Sequence, residues 1–236
     1  MTDVAPPQTI DEESEYDDDP APSGVSWPRV AVLGAALVFL GFAAGLFVSR
    51  DQPPGKDSVD VGFYQDMISH HEQALELSSL ALSNADDPTV RGFAAEVLIF
   101  QSREIGMMET ALHDWGTSRE ARPDTAMDWM GMTPVPVDQM PGMVSEDEID
   151  QLRQARGAEA NGLFLTLMAK HHAGGLHMAE YAANQAEDHD VRALAQLMAY
   201  NQAVEINEYA QTAERLGLPV QIERVPVPAR PDDASH

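Results

Sequence analysis

A methionine followed three residues later by a histidine pair occurs twice in this chain, at Met67-Ile-Ser-His70-His71 and, 101 residues on, at Met168-Ala-Lys-His171-His172. The match extends well beyond these turns. Residues 63–116 align with 164–217 without a gap, with 15 identities in 54 positions that include Asp87/Asp188, Val90/Val191, Arg91/Arg192, Gln101/Gln202, Glu104/Glu205, Ile105/Ile206 and Gly116/Gly217. So long an ungapped self-match marks a duplicated unit, and a unit that cannot bury its apolar face alone buries it against its copy. On a helix, residues three and four apart share a face, so Met67 stands beside His70 and His71, and Met168 beside His171 and His172. The expected architecture is all-α: two helical hairpins related by a pseudo-twofold axis that brings the Met-His-His turns together.

The periodicity places four main helices. The first covers about 59–84, with the stripe Phe63, Met67, His70, Ala74, Leu77, Ala81 at bundle spacing. Asp87-Pro88 supplies an N-cap and a first-turn proline for a second helix over about 88–115, whose stripe runs Ala94, Val97, Gln101, Ile105, Met108, Leu112. Ser145 with Glu148 reads as a capping box for a short helix, followed by long helices over about 158–187 and 189–216. Residues 58–218 are thus expected to form one bundle domain. The connector 117–144 has no helical period and holds Met127, Met130, Met132, Met140 and Met143 around Trp129. It is expected to pack as a lid over the bundle end, to offer thioethers to a metal, or to do both.

Outside the repeats the chain changes character. Residues 1–27 are acidic and proline-rich and are expected to be disordered. Residues 28–50 contain 19 uncharged residues, 30–48, between Arg29 and Arg50. At about 1.5 Å per residue this nearly matches a hydrocarbon core of about 30 Å, so a transmembrane helix is expected. Its acidic flank and the lack of a small-x-small site favour an uncleaved anchor over a signal peptide. A linker, 51–57, follows, and 219–236 is proline-rich and expected to be extended or disordered. The formal charge of −25 is shared by the body of the chain, where residues 60–217 carry 26 acidic and 9 basic side chains. That argues against nucleic acid as a partner. The absence of cysteine removes disulfides and thiolate metal sites.

The polar inventory on the core-facing stripes is four imidazoles, from His70, His71, His171 and His172, with the carboxylates Glu104 and Glu205 and the carboxamides Gln101 and Gln202. Burying these groups is costly unless all are satisfied, and a cation would satisfy several together. Di-iron bundles use Glu-x-x-His, with a hard carboxylate three residues before the histidine; here that place belongs to Met67 and Met168. Thioether suits copper(I) and imidazole suits both copper states, so copper is the expected metal, ahead of zinc held by histidine and glutamate, or iron.

These motifs, together with Met127-Asp-Trp-Met-Gly131, Met140-Pro-Gly-Met143 and Gln101-x-x-Glu104-Ile105-x-x-Met108, resemble the domain-of-unknown-function 305 family over about residues 60–217. The resemblance implies a ferritin-like four-helix bundle, an exported or membrane-anchored setting, and an association with copper. It also implies an extracytoplasmic C-terminal domain, against a charge count at the anchor (Arg29 before, Arg50 and Lys56 after) that leans weakly the other way. The residues it points to as metal ligands are Met67, His70, His71, Met168, His171 and His172, with Glu104, Glu205, Met108 and Met178 in support. Leu77 stands opposite Met178, His177 opposite Glu76, and Gly174-Gly175 is expected to loosen its helix beside the histidines.

The expected function is an anchored protein that sequesters copper or passes it to a copper-handling partner, without turnover, alone or as a homo-oligomer. A ferritin-like di-metal redox enzyme and a structural bundle with a polar core layer are the alternatives. His113, His189 and His236, which lack matching partners, are expected at the surface or helix ends.

Overall fold

Each long helix but one begins where a side chain can accept the amides its first turn leaves free. In the computed structural model, which describes residues 53–121 and 124–231, the Ser58 hydroxyl accepts from the Val61 amide at 3.2 Å and opens α1, Val59–Asn84. Asp87 accepts from the Thr89 and Val90 amides and opens α2, Pro88–Asp114. Ser145 and Glu148 form the expected capping box at the start of α3, Glu146–Gln154. Asp188 repeats the work of Asp87 at α5, His189–Arg215. Only α4, Ala158–Gln185, starts from a glycine, Gly157, without a side-chain cap.

The helix ends repeat as well. Beyond α2 and α5 the chain reverses at Gly116 and Gly217, with φ of 74° and 61°. The Thr117 amide donates to the Leu112 carbonyl and the Leu218 amide to that of Ala213, closing both ends with the same left-handed motif. Among the described residues the fold is all-α apart from a two-residue antiparallel ladder, β1 (Thr125–Ala126) against β2 (Val135–Pro136), in the connector. The expected acidic tail and the expected membrane-spanning segment 28–50 lie outside the described residues. Among the described residues no helix is long and apolar enough to cross a membrane.

α1 packs on α2, α4 on α5, and α1 on α4, while the short α3 packs against α1 and α4. Two apolar clusters result. The first joins the N-terminal half of α1 (Phe63, Met67) to the C-terminal half of α2 (Met108, Leu112), the C-terminal half of α4 (Met178, Ala182) and the early turns of α5 (Val191, Met198). The second joins the opposite halves, through Leu77, Val97, Phe164, Met168 and Tyr209, to α3. Early turns of one helix meeting late turns of its neighbour is what antiparallel packing produces.

Equivalent groups tie the two pairs together at both ends. The Asp60 carboxylate accepts the Glu187 and Asp188 amides at the α4–α5 turn. The Asn161 side-chain oxygen accepts the Asp86 and Asp87 amides at the α1–α2 turn. Asp60 and Asn161 are themselves 101 residues apart, so the duplication is legible in hydrogen bonds as well as in letters.

The connector does more than cap one end. Trp129 fits edge-on against Phe63 at 5.7 Å and Tyr181 at 5.6 Å. Gly62 leaves room for it, since a Cβ there would lie 2.5 Å from Trp129. Asp66 holds this corner by accepting the Met127 amide and the Trp129 indole N–H, both at 2.8 Å. Met127, Met130 and Met140 are buried in the first cluster, whereas Met132 is exposed. Further on, Gln73 binds both backbone groups of Val144, donating at 2.9 Å and accepting at 2.7 Å. The segment thus runs as a strap from the end of α1 to its middle. Residues 219–230 are extended without helix or strand, and Asn207 pins them by pairing with both backbone groups of Val225.

Candidate metal centre

Between the two apolar clusters lies a polar layer, made by the residues that interrupt each helix's apolar stripe: His70 and His71 on α1, Gln101 and Glu104 on α2, His171 and His172 on α4, Gln202 and Glu205 on α5. The duplicated turns meet there. The rings of His70 and His171 lie 3.7 Å apart between centroids, and those of His171 and His172 6.1 Å. All four histidines are at most 1% exposed.

The hydrogen bonds orient every ring the same way round. His71 Nε2 lies 2.7 Å from Glu104 Oε2, and His172 Nε2 lies 2.6 Å from Glu205 Oε2, the same contact in each repeat. His70 Nε2 faces the Pro141 carbonyl at 3.2 Å, and His171 Nε2 faces the His70 carbonyl at 3.0 Å. Carbonyl and carboxylate oxygens accept, so each Nε2 carries its proton and donates. A ring that is neutral and donates from Nε2 bears its lone pair on Nδ1. The Nδ1 atoms of His71, His171 and His172 are buried and have no hydrogen-bond partner.

Burial, and then the charge of neighbouring histidines, lowers the His70 pKa to about 3 and holds that of His171 well below the ordinary imidazole value. Both rings are therefore neutral at pH 7. Buried lone pairs without donors are unfavourable, and a soft or borderline cation is the usual partner for such an imidazole nitrogen. A carboxylate on the far nitrogen, as Glu104 and Glu205 provide, is the arrangement that fixes a ligand ring's tautomer and raises its basicity.

The other expected ligands separate by position. Met67 and Met168 are fully buried, Met67 with Met108 and Met178 in the first cluster and Met168 in the second, so the methionines of the two repeated turns belong to opposite sides of the layer. Glu104 and Glu205 are 15% and 22% exposed and bind imidazole N–H groups. His177 faces solvent. The side chains of His113 and His189 are 90% and 86% exposed, and His236 lies outside the described residues. Among the described residues no three His, Asp or Glu side chains already converge as a ready-made metal set.

The glycine pair of α4 does something other than loosen its helix. A Cβ on Gly174 would lie 2.0 Å from the Pro141 carbonyl oxygen, and one on Gly175 would lie 2.2 Å from Gln202 Oε1. The strap's Pro141-Gly142 turn therefore rests directly on the α4 backbone, which puts the Pro141 carbonyl on His70. Gly174→Ala gains helix propensity of about 1 kcal/mol. It is nonetheless expected to destabilise the protein by about 1–3 kcal/mol, because the backbone oxygen it meets cannot swing away. Urea unfolding of the purified variant measures this, and a stabilised variant would show that the close contact is not held.

The strap carbonyl, the glycine contacts, the Asp66 lock and Tyr209, whose ring lies 5.7 Å from that of His172, were not foreseeable from sequence. They join segments with no common period. The Met127-Asp-Trp-Met-Gly131 and Met140-Pro-Gly-Met143 motifs and the Gly174-Gly175 pair were the signals near them.

Comparison with known proteins bears on the family and the fold. A crystal structure of a DUF305 protein from Streptomyces coelicolor is 33% identical over 73% of this chain and 100% of that one, with a TM-score of 0.65. A DUF305 fragment from Deinococcus radiodurans is 28% identical, covering 66% of this chain and 96% of that one, with a TM-score of 0.56. CopM in its Cu(II)-bound form is 27% identical, covering 66% and 97%, with a TM-score of 0.52. No curated protein matches the chain. The family model described as "Domain of unknown function (DUF305)" matches residues 60–213. On that match, supported by the Streptomyces structure, this chain belongs to the DUF305 family.

Proposed function

We propose that the protein is a copper-binding bundle of the ferritin-like four-helix type, anchored by residues 28–50 with its C-terminal domain outside the cytoplasm, which sequesters copper or passes it on. One observation carries this reading: the two duplicated histidine turns meet in a buried layer where three Nδ1 atoms have no hydrogen-bond partner. Copper is cargo here. His71, His171 and His172 would hold it through Nδ1, with Met67 and Met168 at hand on either side for the softer Cu(I) state. Glu104 and Glu205 would keep their rings in the required tautomer. The solved CopM structure with Cu(II), 27% identical to this chain, supports the choice of metal.

A second reading has its own support. All four Nε2 atoms are already bonded within the protein, as a purely structural polar layer would require. Titration of Cu(II), and of Cu(I) under reducing conditions, into protein purified without a histidine tag separates the two. We expect stoichiometric binding by the wild type and loss of tight binding in His70→Ala/His171→Ala. Glu104→Gln/Glu205→Gln should weaken affinity by roughly 10- to 100-fold. A wild-type chain that takes up no copper and melts at the same temperature with and without it would leave only the structural layer.

A further inference from the structure

The histidines are enclosed on nearly every side. The two apolar clusters close the layer above and below. On the strap side the Pro141 carbonyl sits on His70, and Gly142 is pressed so close that a Cβ would lie 2.6 Å from the His171 carbonyl. The remaining face lies between α2 and α5. There a cleft of about 350 Å³ opens, with Gln101, Glu104, Gln202 and Glu205 in its lining and with Glu96 and Glu208 on the exposed helix surfaces beside them. At roughly 30 Å³ per water, it admits a cation with several of its waters.

Two features make this more than a surface groove. Gln101 and Gln202 are 6% and 4% exposed, and each brings to the cleft a buried side-chain atom with no hydrogen-bond partner, Oε1 and Nε2 respectively. The cleft also leads to the carboxylates that grip His71 and His172, so a cation reaching it is one side chain from the layer. Four carboxylates line it against one guanidinium, that of Arg230, which lies 5.9 Å from the Tyr200 ring. Burial, with Glu205 and then Glu96 nearby, raises the Glu208 pKa, as expected of carboxyl groups that face one another.

We infer that the α2–α5 cleft is the passage through which a hydrated copper ion enters and leaves the histidine layer, with Glu96 and Glu208 as the outer pair that draws it in. The inference rests on the copper reading above. A funnel of one charge sign raises the local concentration and on-rate of its counter-ion, and does so less at high salt.

Stopped-flow mixing of aqueous Cu(II) with the full-length chain in detergent, followed by tryptophan quenching, tests it. Glu96→Gln/Glu208→Gln should slow association by about tenfold at low salt and by much less at high salt. Glu159→Gln/Glu180→Gln, which removes the same charge from the exposed face of α4, should leave the rate within about twofold. Asn201→Trp, which narrows the cleft, should slow association and release by the same factor and so leave Kd unchanged. Equal slowing by the two charge pairs, or no slowing by the cleft pair, overturns the passage while leaving copper binding in place. A wild-type chain that binds no copper removes both readings. Should Asn201→Trp fold poorly, the exposed glutamate pairs still decide.

Discussion

Lowering the pH of the metal-free protein from 7 to 4 is expected to remove about 3 kcal/mol of folding stability through His70 alone. The sign follows from the direction of the shift. Folding drops the His70 pKa to about 3, because the buried ring cannot hold a proton beside the other histidines. The unfolded chain takes up that proton below about pH 6.5. The native state is thus fully favoured above that value and loses ground as pH falls toward 3, where the loss levels off. His171 is shifted in the same direction and adds to the slope. The capping carboxylates Glu148 and Asp87 are held below their ordinary values, so their contribution is lost at lower pH than the onset of the histidine effect. Urea unfolding at a series of pH values would show the slope beginning near pH 6.5. A His70→Gln/His171→Gln variant should show a much shallower slope between about pH 6.5 and 5. A wild type with the same shallow slope would mean that His70 and His171 do not sit neutral in a buried layer.

Asp66→Ala is the point substitution expected to cost most, about 3–5 kcal/mol. One carboxylate oxygen receives both the Met127 amide and the Trp129 indole N–H, and Asp66 is 2% exposed. Its removal strands two buried donors at about 1–3 kcal/mol each and leaves a void beside them. It also frees Met127 from a left-handed backbone conformation (φ of 75°) that a non-glycine residue rarely adopts unless held there. Asp66→Asn, which keeps an acceptor, should recover part of the loss. Chemical denaturation gives the magnitude, and a red shift of tryptophan emission would report release of Trp129. Loss of less than about 1 kcal/mol would show that the strap corner is held by packing alone.

The strap, the cleft and the histidine layer differ in how far they could be read from the chain. The helices followed from local chemistry. Ser58, Asp87, Ser145 with Glu148, and Asp188 each cap the helix they precede, and Gly116 and Gly217 end α2 and α5. The duplication then implied that whatever one Met-His-His turn faced, the other would face by symmetry. The partners of Met67 and Met168 followed less well, because helical spacing says which side chains share a face but not on which side of a layer each ends. The glycines of α4 were misread as a weak point, since a missing Cβ looks the same whether it loosens a helix or admits another backbone. Spacing and capping act over a few residues, so composition, period and repeat determined which segments are helical and which histidines would be paired. The contacts from Pro141 to His70, from Asp66 to Trp129, and across the cleft between α2 and α5 join positions dozens of residues apart. Only the packed structure decides those, because only packing sets the distance between groups that no local rule relates.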